Sequence, residues 1–284
     1  MAGNFFLADP EFWLWLLRAD LWLQNMLLAI AGRKFRVRKG RYGTQLVLRG
    51  PWSAVVRRYM RLFWIRELFM FGYTPFDGNY RFLQELPQLK ALSILTNIKD
   101  STDLYAVSRL RSLELPGVYK GFGLELGQFT ELEDLALMSW FSQAQSLFQL
   151  HSLKELALER YPGKDGSTPF RAMRNLERLW LSACGLEEIE NFSSLARLRD
   201  LSLLLMKHLQ SLHGIEQLSK LRKLRIENCP GIVSLEPLRH LTSLESLRII
   251  DCGKIESLEP LAALPRLGKT RLSKDGRSVI VSKQ

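Results

Sequence analysis

Cysteine and histidine are scarce in this sequence, with three and four copies among 284 residues. No Cys-x-x-Cys pair occurs and no cysteine clusters with histidine, so the spacing argues against a zinc site and a disulfide framework. The histidines are scattered, and no motif joins one of them to a nucleophile or to a set of metal ligands. The sequence therefore predicts a protein that is not an enzyme and that uses no metal and no cofactor.

A recognisable secretory leader is lacking as well. The first ten residues, MAGNFFLADP, carry no positive charge ahead of an apolar stretch. Three thiols without such a leader are typical of proteins in a reducing compartment. We therefore expect a cytoplasmic protein.

Acidic residues are missing from one long stretch. Between Arg33 and Arg66 there are eleven basic residues and no Asp or Glu, and this excess equals the whole formal net charge of +11. From Gly121 to Glu190 the balance reverses, with eleven acidic against six basic residues, so the chain is electrically bipolar. Nine of the cations are predicted to contact an anionic surface: Arg33, Lys34, Arg36, Arg38, Lys39, Arg41, Arg57, Arg58 and Arg61.

The composition of this basic stretch also bears on its partner. Nucleic acid would need the cations on one face, beside aromatic rings that are free to stack on bases. Tyr59 and Phe63 are instead predicted to pack into the core. A solvated face or a contact with anionic lipid is therefore favoured over binding of nucleic acid.

Residues 9 to 31 are predicted to form a helix. Asp9 suits its N-cap and Gly32 its end. Arg18 and Asp20 fall on nearly opposite sides, so the helix is apolar almost all round and needs a cover. Three covers stay open: the end of the folded domain, a membrane interface, or a bilayer that the helix spans.

A Leu-x-Leu step, or a close variant of it, returns every 21 to 24 residues through most of the chain. The first residues of these steps are Leu46, Leu68, Leu92, Leu113, Leu135, Leu156, Leu179, Leu201, Leu224, Leu247 and Thr270. A fixed period in this range indicates one structural unit stacked on copies of itself, with a short strand and a 3₁₀ or short helical return in each. The predicted division is a cap segment at 1–43, a solenoid at 44–272 and a capping hairpin strand at 273–284.

Two local patterns complete the predicted elements. A helix is expected from Trp52 to Phe63, and its core-facing residues are predicted to be Val55, Val56, Tyr59 and Phe63. The Asp275-Gly276 pair between two strand-like runs predicts a hairpin.

The three cysteines occupy equivalent positions. Cys184, Cys229 and Cys252 each lie five residues after the first Leu of their repeat. A small polar group at this place is expected to point inside the coil and to satisfy backbone groups there.

Segments such as LPQLKALSILTN (Leu86 to Asn97) and LSKLRKLRIENC (Leu218 to Cys229) resemble the leucine-rich repeat L-x-x-L-x-L-x-x-N/C, and the resemblance covers Leu46 to Leu272. It implies an α/β horseshoe solenoid with a parallel concave sheet of about eleven short strands, an N-terminal helical cap and a C-terminal β-hairpin cap. The family binds partners on the concave sheet. The length of the repeats resembles bacterial members, and the basic opening strand followed by Gly-Pro-Trp resembles bacterial immunity partners of toxins.

The pattern departs from the repeat at four positions. Val118, Trp140, Tyr161 and Met206 stand where Asn or Cys is expected. Bulges or different loops are therefore predicted in the middle coils.

Strand residues that face away from the leucines are the candidate contact residues, since side chains alternate along a strand. The predicted set on the concave face is Glu114, Asp134, Glu155, Glu159, Trp180, Asp200, Arg225, Arg248 and Arg271. An aromatic side chain among carboxylates is typical of a protein-binding surface, although an ordinary solvated strand face would look similar.

The leading hypothesis is a protein that binds a partner protein on this face. The acidic middle favours a basic partner, such as a toxin that the chain neutralises or an enzyme that it regulates. The alternative is a scaffold attached to a membrane through residues 9–41.

Overall fold

The computed structural model describes residues 35–71, 80–95, 98, 100–116, 122–274 and 277–281. The predicted helix over 9–31, the cations Arg33 and Lys34, the departure at Val118 and the Asp275-Gly276 turn lie outside these residues. The chain divides into two compact units, residues 1–114 and 115–284. This division falls inside the predicted solenoid, and the boundaries expected at 43 and 272 stay predictions.

The first unit opens with an antiparallel hairpin and continues as a parallel sheet in chain order. Its elements are β1 (Phe35–Lys39), β2 (Thr44–Leu48), helix α1 (Ala54–Leu62), β3 (Glu67–Phe71), a 3₁₀ helix (Arg81–Glu85), β4 (Ala91–Leu95), a 3₁₀ helix (Thr102–Val107) and β5 (Ser112–Leu115), whose last residue belongs to the second unit.

Helix α1 packs its inner side on the core. Ser53 caps its start, since the Ser53 hydroxyl accepts a hydrogen bond from the Val56 N–H, and the Tyr59 ring meets Phe35 edge-on at 5.1 Å. Val56, Tyr59 and Met60 are buried. The prediction for Val55 is wrong, because this side chain is 44% exposed. Neighbouring helical residues differ by about 100° in direction, so only one of the two valines can face the core.

The second unit contains seven parallel strands in chain order and one closing antiparallel strand among its described residues. The strands are β6 (Asp134–Leu137), β7 (Glu155–Glu159), β8 (Arg178–Ser182), β9 (Asp200–Leu204), β10 (Lys223–Glu227), β11 (Ser246–Ile250), β12 (Lys269–Lys274) and β13 (Arg277–Val281). The return segments hold 3₁₀ helices at Leu126–Gln128, Ser142–Gln149, Thr168–Ala172, Glu190–Ser194 and Glu236–Leu238, and helix α2 at Glu259–Ala262. Short returns and a closing hairpin were both predicted and are confirmed.

The repeat sets the strand register directly. Leu156, Leu179 and Leu201 are direct neighbours on adjacent strands and are at most 2% exposed. In the return segments, Phe170 lies 5.1 Å from both Phe148 and Phe192, edge to face. Each coil therefore buries its apolar side chains against the next coil, as expected of a stacked repeat.

The turn after each strand has the same backbone in five successive coils. One residue with positive φ follows the strand each time: Arg160, Ala183, Leu205, Asn228 and Asp251. In the first four of these coils its N–H donates to the carbonyl of the last strand residue of the next coil, as from Ala183 to Leu204 at 2.9 Å. The chain thus turns inward at one fixed place.

The residue after this turn points into the coil. The Cys184 thiol donates to the Ser182 carbonyl at 3.4 Å, and Cys229 and Cys252 make equivalent bonds, which confirms the predicted role of the cysteines. Tyr161 and Met206 follow the same turn and are at most 2% exposed, so at these positions a large apolar side chain takes the place of the thiol. A different loop does follow Tyr161, as expected, since Gly163 and Gly166 adopt positive φ there.

Candidate functional site

The candidate surface is the open face of the second unit, defined as the strand face opposite to the buried leucines. Its first row holds the residue just before each repeat leucine. Glu155, Arg178, Asp200 and Lys223 are consecutive neighbours in this row. Glu155 and Arg178 form an ion pair, and the Lys223 ammonium lies 3.8 Å from the Asp200 carboxylate. From β7 to β10, charges of opposite sign therefore alternate from strand to strand.

This alternation corrects the predicted acidic centre. Glu159 also has a cation of the same chain beside it, with the Arg160 guanidinium at 3.3 Å. Asp134 is 8% exposed and offers little surface to a partner. Glu114 lies on β5 in the first unit. Sequence reasoning missed Arg178. The available signal was its position just before the repeat leucine Leu179, which matches the position of Glu155 before Leu156.

Trp180 stands in the second row of the open face, at the x position of its Leu-x-Leu step. It is half-buried. Its direct neighbours are small, Ala157 on β7 and Ser202 on β9. Adjacent strands lie about 4.8 Å apart, so an indole ring beside two such residues has one flank that its own row cannot cover.

The same row continues as three arginines. Arg225, Arg248 and Arg271 are direct neighbours on β10, β11 and β12. The Arg225 guanidinium donates two hydrogen bonds of 2.7 Å to the Glu227 carboxylate, and Arg248 donates to the same group. These hydrogen bonds from Arg225, and then from Arg248, hold the pKa of Glu227 below its ordinary value. The side chains of Arg225 and Arg248 remain 46% and 40% exposed, so their other N–H groups face solvent.

Leu205 is a second residue that sequence reasoning missed. It occupies the inward turn after β9 with a φ of 55°, and it is 45% exposed. A leucine in this conformation is unfavourable, and here burial does not compensate for it. The signal was the run LSLLLM, which holds one more leucine than the strand pattern needs.

The predicted basic group of the first unit does not form one surface. Arg36 and Arg38 alternate with the buried Phe35 and Val37 and lie on the open face of β1, where Arg38 covers the Phe69 ring at 5.0 Å. Lys39 and Arg41 are exposed at the β1–β2 turn.

The other cations lie on the return side of the same unit. Arg57, Arg58 and Arg61 are exposed on the outer side of α1. The inner side of α1 packs on the core side of the sheet, so strand alternation and helix packing divide the cations between two faces.

The pKa values of two buried thiols are raised, which disfavours the reactive thiolate form. Burial raises the pKa of the Cys184 thiol to about 11. A hydrogen bond to the neighbouring Cys252 thiol, together with burial, raises the pKa of Cys229. Among the residues that the structure describes there is no group of three or more His, Cys, Asp or Glu that could hold a metal ion.

Comparison with solved structures decides the fold. The chain is similar to internalin C2 of Listeria monocytogenes, with 23% identity over 68% of this chain and 84% of that one at a TM-score of 0.58. It is also similar to internalin F of the same organism, with 18% identity over 81% and 71% of the two chains at 0.56. A leucine-rich-repeat protein of Leptospira interrogans matches with 20% identity over 80% and 64% at 0.55. The chain has the leucine-rich-repeat fold.

The leucine-rich-repeat assignment rests on architecture. No protein-family model and no curated protein matches the sequence. Within the described part of this leucine-rich-repeat chain, no helix is long and apolar enough to cross a bilayer.

Proposed function

We propose that this leucine-rich-repeat chain is a non-enzymatic module that binds a partner protein on the open face of its second unit. The observation that carries the proposal is Trp180, an indole on a solvent-facing strand row between Ala157 and Ser202. Tryptophan is among the side chains that contribute most to protein–protein binding, and a small-residue neighbourhood leaves room for a partner side chain against it.

The structural neighbours support a binding role of this kind. One of them is the leucine-rich-repeat ectodomain of the Arabidopsis thaliana receptor kinase GASSHO1/SCHENGEN3 in complex with Casparian strip integrity factor 2, at 16% identity and a TM-score of 0.56. This chain spans 28% of that ectodomain. The likeness concerns the fold, so the partner of this chain has to be inferred from its own surface.

The charge of that surface changes the predicted partner. The sequence predicts a basic partner because the carboxylates Glu155, Glu159 and Asp200 lie in the middle of the predicted concave face. Each of these carboxylates has a cation of the same chain within 4 Å. We propose instead that the partner places an apolar group on Trp180 and carboxylates along the three arginines of β10 to β12, two of which share one carboxylate, that of Glu227. An inhibitor of a toxin and a regulator of an enzyme would both use this surface in the same way.

The experiment is capture of partners from the native host with three immobilised proteins: the unaltered chain, Trp180→Ala and Arg197→Ala. Arg197 is exposed on a return segment and serves as the matched control. The partner is the protein retained by the unaltered chain and the control but bound at least about 30-fold more weakly by Trp180→Ala. Rising salt should weaken the complex, because arginine contacts at an exposed face are screened.

Equal capture by Trp180→Ala and the unaltered chain would remove Trp180 from the interface and with it the proposal. The predicted membrane scaffold uses residues 9–41, of which only 35–41 are described.

A further inference from the structure

Helix α1 ends in a turn that is normally made by glycine. The Ile65 N–H donates to the Met60 carbonyl at 2.9 Å, and the Trp64 N–H donates to the Arg61 carbonyl at 3.3 Å. This pair of bonds places the residue just after the helix cap in the left-handed region, and that residue is Trp64, with a φ of 49°. Glycine adopts this conformation without steric cost, whereas the Cβ atom of a tryptophan makes it unfavourable.

Solvent exposure makes the choice of tryptophan more unusual. Trp64 is 60% exposed, the largest value among the exposed large apolar side chains of the described residues. Leu62 and Val55 of the same helix are 40% and 44% exposed. Val55, Arg58 and Leu62 are spaced three and four residues apart and so form one stripe along the helix. Three of the five exposed large apolar side chains among the described residues thus lie within one ten-residue segment.

Cations surround this apolar cluster. Arg57, Arg58 and Arg61 are exposed on the outer side of α1, and no acidic residue occurs from Phe35 to Arg66. One acidic side chain of a later segment approaches, since Glu85 forms an ion pair of 3.2 Å with Arg57. The first unit contains thirteen basic and five acidic residues among those described, so its positive charge is only partly compensated.

We propose that this face of α1 docks on an anionic lipid bilayer. The Trp64 indole, with the Leu62 and Val55 side chains, enters the headgroup region, while Arg57, Arg58 and Arg61 meet the anionic headgroups. Exposed leucine and arginine on one short helix, with an exposed tryptophan in the turn that ends it, are the combination that a membrane interface stabilises. Nucleic acid would engage the arginines but would leave the leucine and the valine exposed.

This inference concerns the first unit and does not depend on the protein-binding proposal. It also uses residues different from the apolar segment 9–31. Leu205 of the second unit is also a large apolar residue in a left-handed turn. It follows a strand, β9, and not a helix that carries exposed arginines. Leu205 therefore provides a matched control.

The test is co-flotation of the full-length chain with vesicles. Vesicles of phosphatidylcholine and phosphatidylserine are compared with vesicles of phosphatidylcholine alone, for the unaltered chain, Trp64→Gly, Arg58→Gln and Leu205→Gly. Glycine relieves the turn at both positions, so Trp64→Gly and Leu205→Gly should both fold. We expect binding to the mixed vesicles only, a loss of at least tenfold in Trp64→Gly, about fivefold in Arg58→Gln and no change in Leu205→Gly.

Three results would overturn the proposal. The unaltered chain could fail to bind the mixed vesicles, or it could bind both kinds of vesicle equally. Alternatively, Trp64→Gly could bind lipid as the unaltered chain does, which would assign the lipid contact to another segment. If Trp64→Gly keeps vesicle binding but loses a protein captured from the host, the face is a protein interface.

Discussion

The inward turn after each strand shows how one backbone conformation accepts very different residues. Arg160, Ala183, Leu205, Asn228 and Asp251 all adopt positive φ. Asn and Asp tolerate this region best among residues with a side chain, since their short polar groups can bond locally. A leucine side chain is longer and cannot form such a hydrogen bond, and at Leu205 it is also exposed. A residue that is locally unfavourable and exposed is a candidate for a contact outside the chain.

A pair of reciprocal substitutions tests the free-energy cost of placing a leucine in the left-handed turn. Leu205→Asn should raise the free energy of unfolding by about 1 kcal/mol, because it relieves the left-handed strain without removing a buried side chain. Asn228→Leu should lower it by a similar amount, because Asn228 is exposed in the same turn. Urea unfolding at equilibrium measures both. A loss of stability in Leu205→Asn would show that the leucine side chain packs against something in the folded chain.

At the scale of elements, neighbouring strands are joined by side chains as well as by backbone hydrogen bonds. Glu227 is 8% exposed at the end of β10 and accepts hydrogen bonds from Arg225 of its own strand and Arg248 of β11. This carboxylate fixes two arginines of the row that we assign to the partner. Its charge therefore matters for stability and for the position of the binding side chains.

The lowered pKa of Glu227 makes this clamp sensitive to acid. Its folded pKa lies below the unfolded value of about 4.3, so its stabilisation is fully present above that value and is lost as the pH falls through the folded pKa. The free energy of unfolding should decrease between pH 7 and pH 3 by less in Glu227→Gln than in the unaltered chain.

Glu236→Gln is the control for this pH series. The pKa of Glu236 is also lowered, first by its hydrogen bond with Arg239, but this pair is exposed and solvent screens it. The change in pH dependence should therefore be smaller than in Glu227→Gln. Equal pH dependence in all three proteins would mean that the Glu227 clamp contributes nothing to folding stability.

At the scale of the whole molecule, the two units present different surfaces. The first unit holds an excess of cations and the exposed Trp64, and the second holds the alternating charge row with Trp180. Residues 1–114 contain seventeen basic and nine acidic residues, so the first unit accounts for +8 of the net charge of +11. The pI of about 9.7 therefore does not describe the face that we propose to bind protein.

This separation predicts that the two binding activities can be removed one at a time. Trp180→Ala should lose the captured partner and keep its binding to vesicles that contain phosphatidylserine. Trp64→Gly should do the opposite. Capture and co-flotation with the same two proteins measure both activities. A single variant that abolishes both, while its urea unfolding stays normal, would show that one surface serves both ligands.

Much of the fold follows from the sequence because the repeat is regular. Leu156, Leu179 and Leu201 predict their strands, since leucines at a fixed period can be buried only when successive coils are in register. The thiols of Cys184, Cys229 and Cys252 follow from the same period. Burial of apolar groups is a property of each residue type, so the spacing alone is enough to place these side chains.

The tertiary structure alone decided which polar groups meet. Glu155 and Arg178 are 23 residues apart, and their ion pair depends on the strand register, as does the clamp of Glu227 on Arg248. It also decided that Val56 rather than Val55 faces the core, and that Trp64 stands exposed in a left-handed turn. Hydrophobic burial is non-directional and can be read from the pattern, whereas ion pairs and exposed contacts require positions in space that the pattern does not contain.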